Sequence, residues 1–278
     1  MVDAPYDRIP VFVPEGAIIP FGPAMEWSDE KPAELVNQKS PDCRVIVTTF
    51  GGNPYATPWL DKVDALVHCW YLGSESGNAL ANVLTGKVNP SGKLPVTFAR
   101  RYNDYPYVRF GQRAYPGISE QLRDDRAPRS QVYYDEGIFV GYRGFEKNKT
   151  SVQFPFGFGL SYTTFAMTSE SLNQKQDSVI IAVDITNIGR VAGKETAQVY
   201  VSAPNSKRKD EPLKELKAFA KTRLLQPGER ETLMMAIPLN DLRYWDEQTH
   251  QWKFTAGKYT FHIGSSSADI KHRLSVTL

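Results

Sequence analysis

The chain has 278 residues, of which 41% are hydrophobic and 23% charged. That suffices for one large domain or two ordinary ones with packed cores, and it excludes intrinsic disorder. A formal charge of +2 supplies no concentrated basic surface for nucleic acid, and no apolar stretch approaches the ~20 residues of a membrane span. Neither nucleic acid nor a membrane is therefore an expected partner.

The N-terminus, Met-Val-Asp-Ala-Pro-Tyr-Asp, has neither a basic n-region nor an apolar h-region. As written the chain is expected in the cytoplasm, or in the periplasm or medium if a leader has been removed. Residues 9–21, IPVFVPEGAIIPF, hold two short apolar runs around the turn signal Pro14-Glu15-Gly16. Pro10, Pro14 and Pro20 limit them to edge-strand pieces, because proline cannot donate to a ladder. Residues 28–43 are polar and read as a linker.

Residues 44–50, RVIVTTF, and 63–71, VDALVHCWY, are apolar on both faces, which suits buried parallel strands. Gly51-Gly52-Asn53-Pro54 breaks the first, and a helical stretch is expected around Trp59–Lys62. The two cysteines, Cys43 and Cys69, are placed by these strands roughly 20 Å apart at ~3.3 Å per residue, so no disulfide is expected. In GSESGNALANVLTG, Ala79, Leu80, Val83 and Leu84 recur at helical spacing, with Ser74 or Ser76 as N-cap and Gly86 as C-cap. KLPVTF, residues 93–98, reads as a third parallel strand.

Residues 100–135 are rich in arginine, proline and tyrosine without periodicity, the mark of a functional loop or tether. The run Lys207-Arg208-Lys209 is followed at once by Asp210-Glu211 and reads as a solvated loop. From about residue 166 the pattern is all-β. SVIIAVDIT and TAQVYVSA alternate, and further strands are expected at 214–225, 230–237, 258–264 and 272–278. About seven short strands separated by turn signals fit an immunoglobulin-like or fibronectin type III-like sandwich. The expected fold class is thus α/β plus all-β.

Three motifs in order, NPSGKLPVTF (89–98), YDEGIFVGYRGFE (134–146) and FPFGFGLSYTTF (154–165), resemble the end of the α/β sandwich domain of family 3 glycoside hydrolases of the β-glucosidase type, and its link to a fibronectin type III-like domain. The likeness extends over about residues 35–278. The opening APYDRIPVFVPEGAIIPFGP instead resembles a β segment of family 31 hydrolases, the α-glucosidase and α-xylosidase group. Four regions follow: a family 31-like segment (1–34), a partial α/β sandwich (35–100), an irregular interdomain segment (101–165) and the fibronectin type III-like domain (166–278).

Retaining glycosidases place two carboxyl groups about 5–5.5 Å apart. The resemblance implies a nucleophilic aspartate on an N-terminal barrel, to which nothing here is similar. It implies an acid/base glutamate before the strand RVIVTTF, where this chain has other sequence. Neither residue carries over, so the chain is expected to be inactive alone. The acids left as catalytic candidates are Glu75, Asp135, Glu136 and Asp104. Ser74 and Glu75, in a loop between strand and helix, are placed where α/β sheets bind ligands, though Glu75 also simply suits a helix N-terminus. Asp135 and Glu136, adjacent on a strand, would point to opposite faces.

His68 reads as a core or sheet-end histidine. His250, His262 and His272 lack metal-ligand spacing, and Ser161 in GLSYT lacks the G-x-S-x-G elbow. No metal and no cofactor is expected. The aromatics of FPFGFGLSYTTF read as interdomain packing. Trp245 and Trp252, flanking DEQTH, are the candidates for stacking on a carbohydrate. Three functions compete: an incomplete hydrolase region, an active glycosidase with a rebuilt site, and a carbohydrate-binding or interaction module. A three-stranded sheet with an open edge also predicts a homo-oligomer or a complementing domain.

Overall fold

In the computed structural model the described residues are 10–12, 18–20, 44–115, 117–120, 129–204 and 211–278. Cys43 and the run Lys207–Asp210, both read from the sequence, lie outside them. The chain divides into two compact units, residues 1–88 with 99–102, and residues 89–98 with 103–278.

The first unit is built on a four-stranded sheet. Strands β1 (Pro10–Phe12) and β2 (Ile18–Pro20) form an antiparallel hairpin, with Pro10 opposite Pro20. Only β2 is the edge piece the prolines predicted, since β1 is paired on both sides; Pro10 and Pro20 sit at the terminal pair of their ladder, where a missing N–H does least harm. β1 also runs antiparallel to β3 (Ile46–Thr49), which pairs in parallel with β4 (Ala65–His68), giving the order β2-β1-β3-β4. β3 carries the buried layer: Val45, Val47, Thr48 and Thr49 are almost wholly covered. β4, at the edge, is only half-buried.

Asp64 joins the starts of the two parallel strands. Its carboxylate accepts the Val45 N–H at 2.8 Å and the Arg44 guanidinium at 2.6 Å. Those two bonds hold it below the usual carboxylate range. The stretch around Trp59 forms a single 3-10 turn, Leu60–Lys62, beside the buried Trp59 ring. Helix α1 (Ser76–Leu84) is entered through a 3-10 turn, Gly73–Glu75. Glu75 occupies the N-cap position rather than Ser74 or Ser76, and no side chain caps the helix. At the other end Gly86 takes φ +74°, the left-handed conformation that ends helices.

The third expected parallel strand is absent from this sheet. Within 93–98 only Phe98 is in a strand, β5 (Phe98–Ala99), which belongs to a separate two-stranded ladder. The reason is local: Leu94 donates its N–H to Phe158 O at 2.8 Å, and Gly157 donates to Leu94 O at 2.8 Å. The KLP segment is hydrogen-bonded to FPFGFG instead.

In the second unit a hairpin of β6 (Ile118–Glu120) and β7 (Arg129–Gln131) precedes helix α2 (Tyr142–Lys147) and β8 (Val152–Phe154), the partner of β5. The sandwich follows. One sheet is β13 (Arg230–Pro238), β10 (Ser178–Asn187) and β9 (Phe165–Gln174); the other is β12 (Glu215–Lys221), β11 (Thr196–Ser202), β16 (Lys258–Gly264) and β17 (Ile270–Thr277). All neighbours are antiparallel, and the seven strands match the sequence expectation. A further hairpin, β14 (Tyr244–Asp246) with β15 (Gln251–Lys253), is inserted before β16.

Strand alternation puts every second side chain on one face. Val179, Ile181, Val183 and Ile185 of β10 are accordingly buried, and they meet Val199 and Val201 of β11, Ile237 of β13, and Tyr259, Phe261 and Ile263 of β16 in one core. Full burial of each such side chain contributes roughly 1.5–3 kcal/mol. The polar group at the end of β10 is also fully paired. Asn187, with no exposed surface, accepts from Thr163 Oγ1 at 2.8 Å and Gly189 N at 3.1 Å, and donates to Val191 O at 2.8 Å and Leu225 O at 2.9 Å.

Candidate functional site

At the carboxyl ends of β3 and β4 four side chains converge. His68 Nδ1 lies 2.8 Å from Thr49 Oγ1, which is also hydrogen-bonded to the Tyr55 hydroxyl. The His68 ring meets Tyr55 at 5.5 Å and Trp70 at 4.4 Å, both edge-on. Burial lowers the histidine pKa and raises that of the Tyr55 hydroxyl, so both stay neutral near pH 7. Trp70 adopts φ +51°, a conformation that costs a non-glycine residue about 1–3 kcal/mol. His68 is thus held in a polar cluster of the sheet end, as expected. Its partners Tyr55 and Trp70 were not singled out in the sequence, because nothing in GGNPYATPW or HCWY marks their convergence. Burial also pushes the Cys69 thiol up, which makes it a poor nucleophile.

Ser74 and Glu75 stand exposed in the 3-10 turn that opens α1, with Glu75 Oε2 accepting from Asn78 Nδ2 at 2.7 Å. That contact is a side-chain hydrogen bond within the first turn and not a cap of the helix N–H groups. The three other candidate acids lie in the second unit. Asp104 ends the 3-10 turn Tyr102–Asp104 and is half-buried. Asp135 is gripped by Arg113 through two contacts, Nε–Oδ2 at 2.8 Å and Nη2–Oδ1 at 3.2 Å, and the guanidinium lies 4.3 Å from the centre of the Tyr133 ring. Such a two-pronged pair fixes the position of the carboxylate.

Asp135 and Glu136 are not on a strand. They open a turn in which Gly137 N bonds Tyr134 O, and Gly137 takes φ +57°. The opposite-faces argument therefore does not apply. One oxygen of Glu136 is buried with no hydrogen-bond partner among the described residues. Among the described residues no group of three or more histidine, cysteine or acidic side chains is arranged to hold a metal. No helix among them is long and apolar enough to cross a membrane.

The aromatics of FPFGFGLSYTTF are packing groups. Phe154 stacks on Phe158 at 5.2 Å and meets Phe98 at 6.0 Å, while Phe156 stacks on Tyr142 of α2 at 4.8 Å. Ser161 donates its hydroxyl to Asn89 Oδ1 at 3.0 Å and is structural. Trp245 and Trp252 face each other across the β14–β15 hairpin and remain 45% and 62% exposed. Trp252 lines a cleft with Leu216, Lys217, Asn240, Asp241 and Arg243. The five partners of Trp252 carry no sequence signal, since they come from separate turns and strands.

Residues 23–142 match the glycosyl hydrolase family 3 C-terminal domain, and residues 195–267 match a fibronectin type III-like domain. The first match begins inside the stretch 1–34 that the sequence likeness assigned to family 31. β-Glucosidase B of Emericella nidulans is 40% identical over 255 residues, 90% of this chain and 29% of that protein. Among solved structures, β-glucosidase 3B from Thermotoga neapolitana in complex with α-D-glucose is similar at a TM-score of 0.74 and 39% identity, over 84% of this chain and 31% of that one. DesR, a β-glucosidase from Streptomyces venezuelae in complex with D-glucose, is similar at a TM-score of 0.81 and 32% identity, over 95% of this chain and 32% of that one. The chain therefore spans about a third or less of the relatives it matches. It carries the C-terminal domain of glycoside hydrolase family 3 together with a fibronectin type III-like domain.

Proposed function

We propose that this chain is the region of a β-glucosidase-type enzyme that borders the active site, and that it does not hydrolyse glycosides by itself. One observation carries the reading. The matched domains are a family 3 C-terminal domain and a fibronectin type III-like domain, on a chain that spans 29% of β-glucosidase B. Two of the four candidate acids support it. Asp135 is committed to Arg113, and Glu75 to Asn78. In this reading the nucleophilic carboxylate comes from a barrel that forms the rest of a longer enzyme, or from a complementing fragment. The half-buried β4, at the edge of its sheet, is the surface such a partner or a second copy covers.

The test is an assay of the purified chain on aryl β-glucosides and aryl β-xylosides, beside Glu75→Gln and Glu136→Gln. The expected result is the buffer rate for all three. Turnover in the parent chain that one variant loses would replace this reading with the rebuilt-site alternative. Light scattering tests the partner: self-association is expected, and a clean monomer counts against it. The family 31 likeness of the opening residues stays with this proposal as a junction of two hydrolase segments. Sequencing source DNA across residues 15–40 decides whether the junction is native.

A further inference from the structure

Two tryptophans left in water at one hairpin are unusual for a folded surface and mark a place where something docks. We infer that the cleft beside Trp252 binds a neutral pyranosidic glycan, independently of any hydrolysis. The open cleft has a volume of about 670 Å³, within the range of small-molecule sites. Leu216 and Lys217 come from β12. Asn240 and Asp241 come from the 3-10 turn Leu239–Leu242, and Arg243 directly follows it.

The chemistry of this lining selects the ligand. A pyranose has an apolar C–H face and a rim of hydroxyls, each of which both donates and accepts. Trp252 offers a flat apolar ring for the face. Asn240 donates and accepts, Asp241 accepts, and Arg243 and Lys217 donate, so a hydroxyl rim finds both kinds of partner. Lys217 and Arg243 in the lining face Asp241, and Glu215, 3.2 Å from Lys217 Nζ through Oε2, is shared with Arg143 at 2.9 Å, so the surroundings of the cleft are slightly positive rather than strongly charged. A polyanion would meet Asp241 as a repulsive neighbour, and an apolar peptide would bury Arg243 and Asp241 without partners.

The site is also held in shape before any ligand arrives. Asp246 locks the hairpin: Oδ1 accepts Thr249 N at 2.8 Å and Thr249 Oγ1 at 2.9 Å, and Oδ2 meets Lys253 Nζ at 3.0 Å. Trp245 stands edge-on to Trp252 at 5.6 Å and 69°, and so fixes the ring plane. Buried Leu242 pins the 3-10 turn that presents Asn240 and Asp241. Preorganisation of this kind lowers the entropy cost of binding.

The experiment is affinity gel electrophoresis of the full chain in gels containing barley mixed-linkage β-glucan, xyloglucan or polygalacturonate, with Trp252→Ala and Arg243→Ala alongside. Retardation by at least one neutral glycan is expected. It should weaken about tenfold or more in Trp252→Ala and less in Arg243→Ala. Unchanged melting temperatures check that both exposed substitutions leave the fold intact. No retardation by either neutral glycan, retardation by polygalacturonate alone, or equal retardation of Trp252→Ala would each overturn the assignment. None of these outcomes depends on whether the chain hydrolyses glycosides.

Discussion

Asn89 Oδ1 accepts the backbone N–H of Tyr162 at 2.8 Å, across 73 residues of sequence. The same oxygen takes the Ser161 hydroxyl at 3.0 Å, and Nδ2 donates to Ala192 O at 2.9 Å. One amide thus ties the first family motif to the third and to a loop of the sandwich. Asn89→Ala removes three hydrogen bonds, two of them part-buried and one exposed, each worth about 0.5–1.5 kcal/mol net. Urea denaturation should show a loss of roughly 2–3 kcal/mol. A change under ~0.5 kcal/mol would mean water replaces the amide at no cost.

Gly157 and Gly228 separate backbone strain from crowding. Both take φ near +80°, at +81° and +82°. A Cβ on Gly157 would lie 2.1 Å from Gln198 Oε1, whereas one on Gly228 meets nothing within 4 Å. Gly228→Ala should cost about 1–2 kcal/mol for the left-handed backbone alone. Gly157→Ala should cost roughly 1–3 kcal/mol more, because Gln198 must leave its bonds to Gly157 O and Ser265 O. Equal urea midpoints for the two variants would contradict this.

Ile181 and its neighbour Ile180 test the register of β10. Ile181 is fully buried and Ile180 only partly so. Ile181→Ala is expected to destabilise by about 2–5 kcal/mol, and Ile180→Ala by less than half of that. The opposite ranking in denaturation would place the other face of the strand inside.

His262 sets a pH dependence. Ser202 Oγ donates its proton to Leu213 O at 2.6 Å, so His262 Nε2, 2.8 Å from Ser202 Oγ, is the donor to that hydroxyl oxygen. Burial first, then the nearby Lys214 and Arg273 charges, lower the histidine pKa below its ordinary value of about 6.5. The unfolded chain then binds a proton that the folded one resists. Stability is complete above about pH 6.5 and falls as pH drops through the interval below it. His68 is shifted in the same direction by burial. Melting temperature should therefore fall between pH 7 and pH 5, with a shallower slope in His262→Gln, whose amide keeps the donor. An unchanged slope would remove His262 as a cause.

The sandwich was readable because alternation is a direct record of which face is wet. Val179, Ile181, Val183 and Ile185 declare the inner face without any knowledge of the partners. The third parallel strand was not readable, because KLPVTF has strand composition whichever ladder it joins. The choice rests on Leu94 meeting Phe158, 64 residues away. Asp135 and Glu136 were expected on a strand, and the left-handed conformation of Gly137 that turns the chain there is visible only in the fold. The Trp pair was found from its flanking turn, but its cleft was not. Lys217 and Arg243 are 26 residues apart and are brought together only by the fold.

The ties of Asn89 have a consequence for synthesis. Ser161, Tyr162 and Ala192 all follow it by about 70–100 residues, and Lys93 waits about as long for Glu195, 2.8 Å from its ammonium. At ~5–20 residues per second, the segment 89–98 leaves the ribosome several seconds to tens of seconds before its partners exist. During that interval Leu94 and Phe98 have no ladder to join. These ties within the second unit therefore close late, after most of its chain has been made.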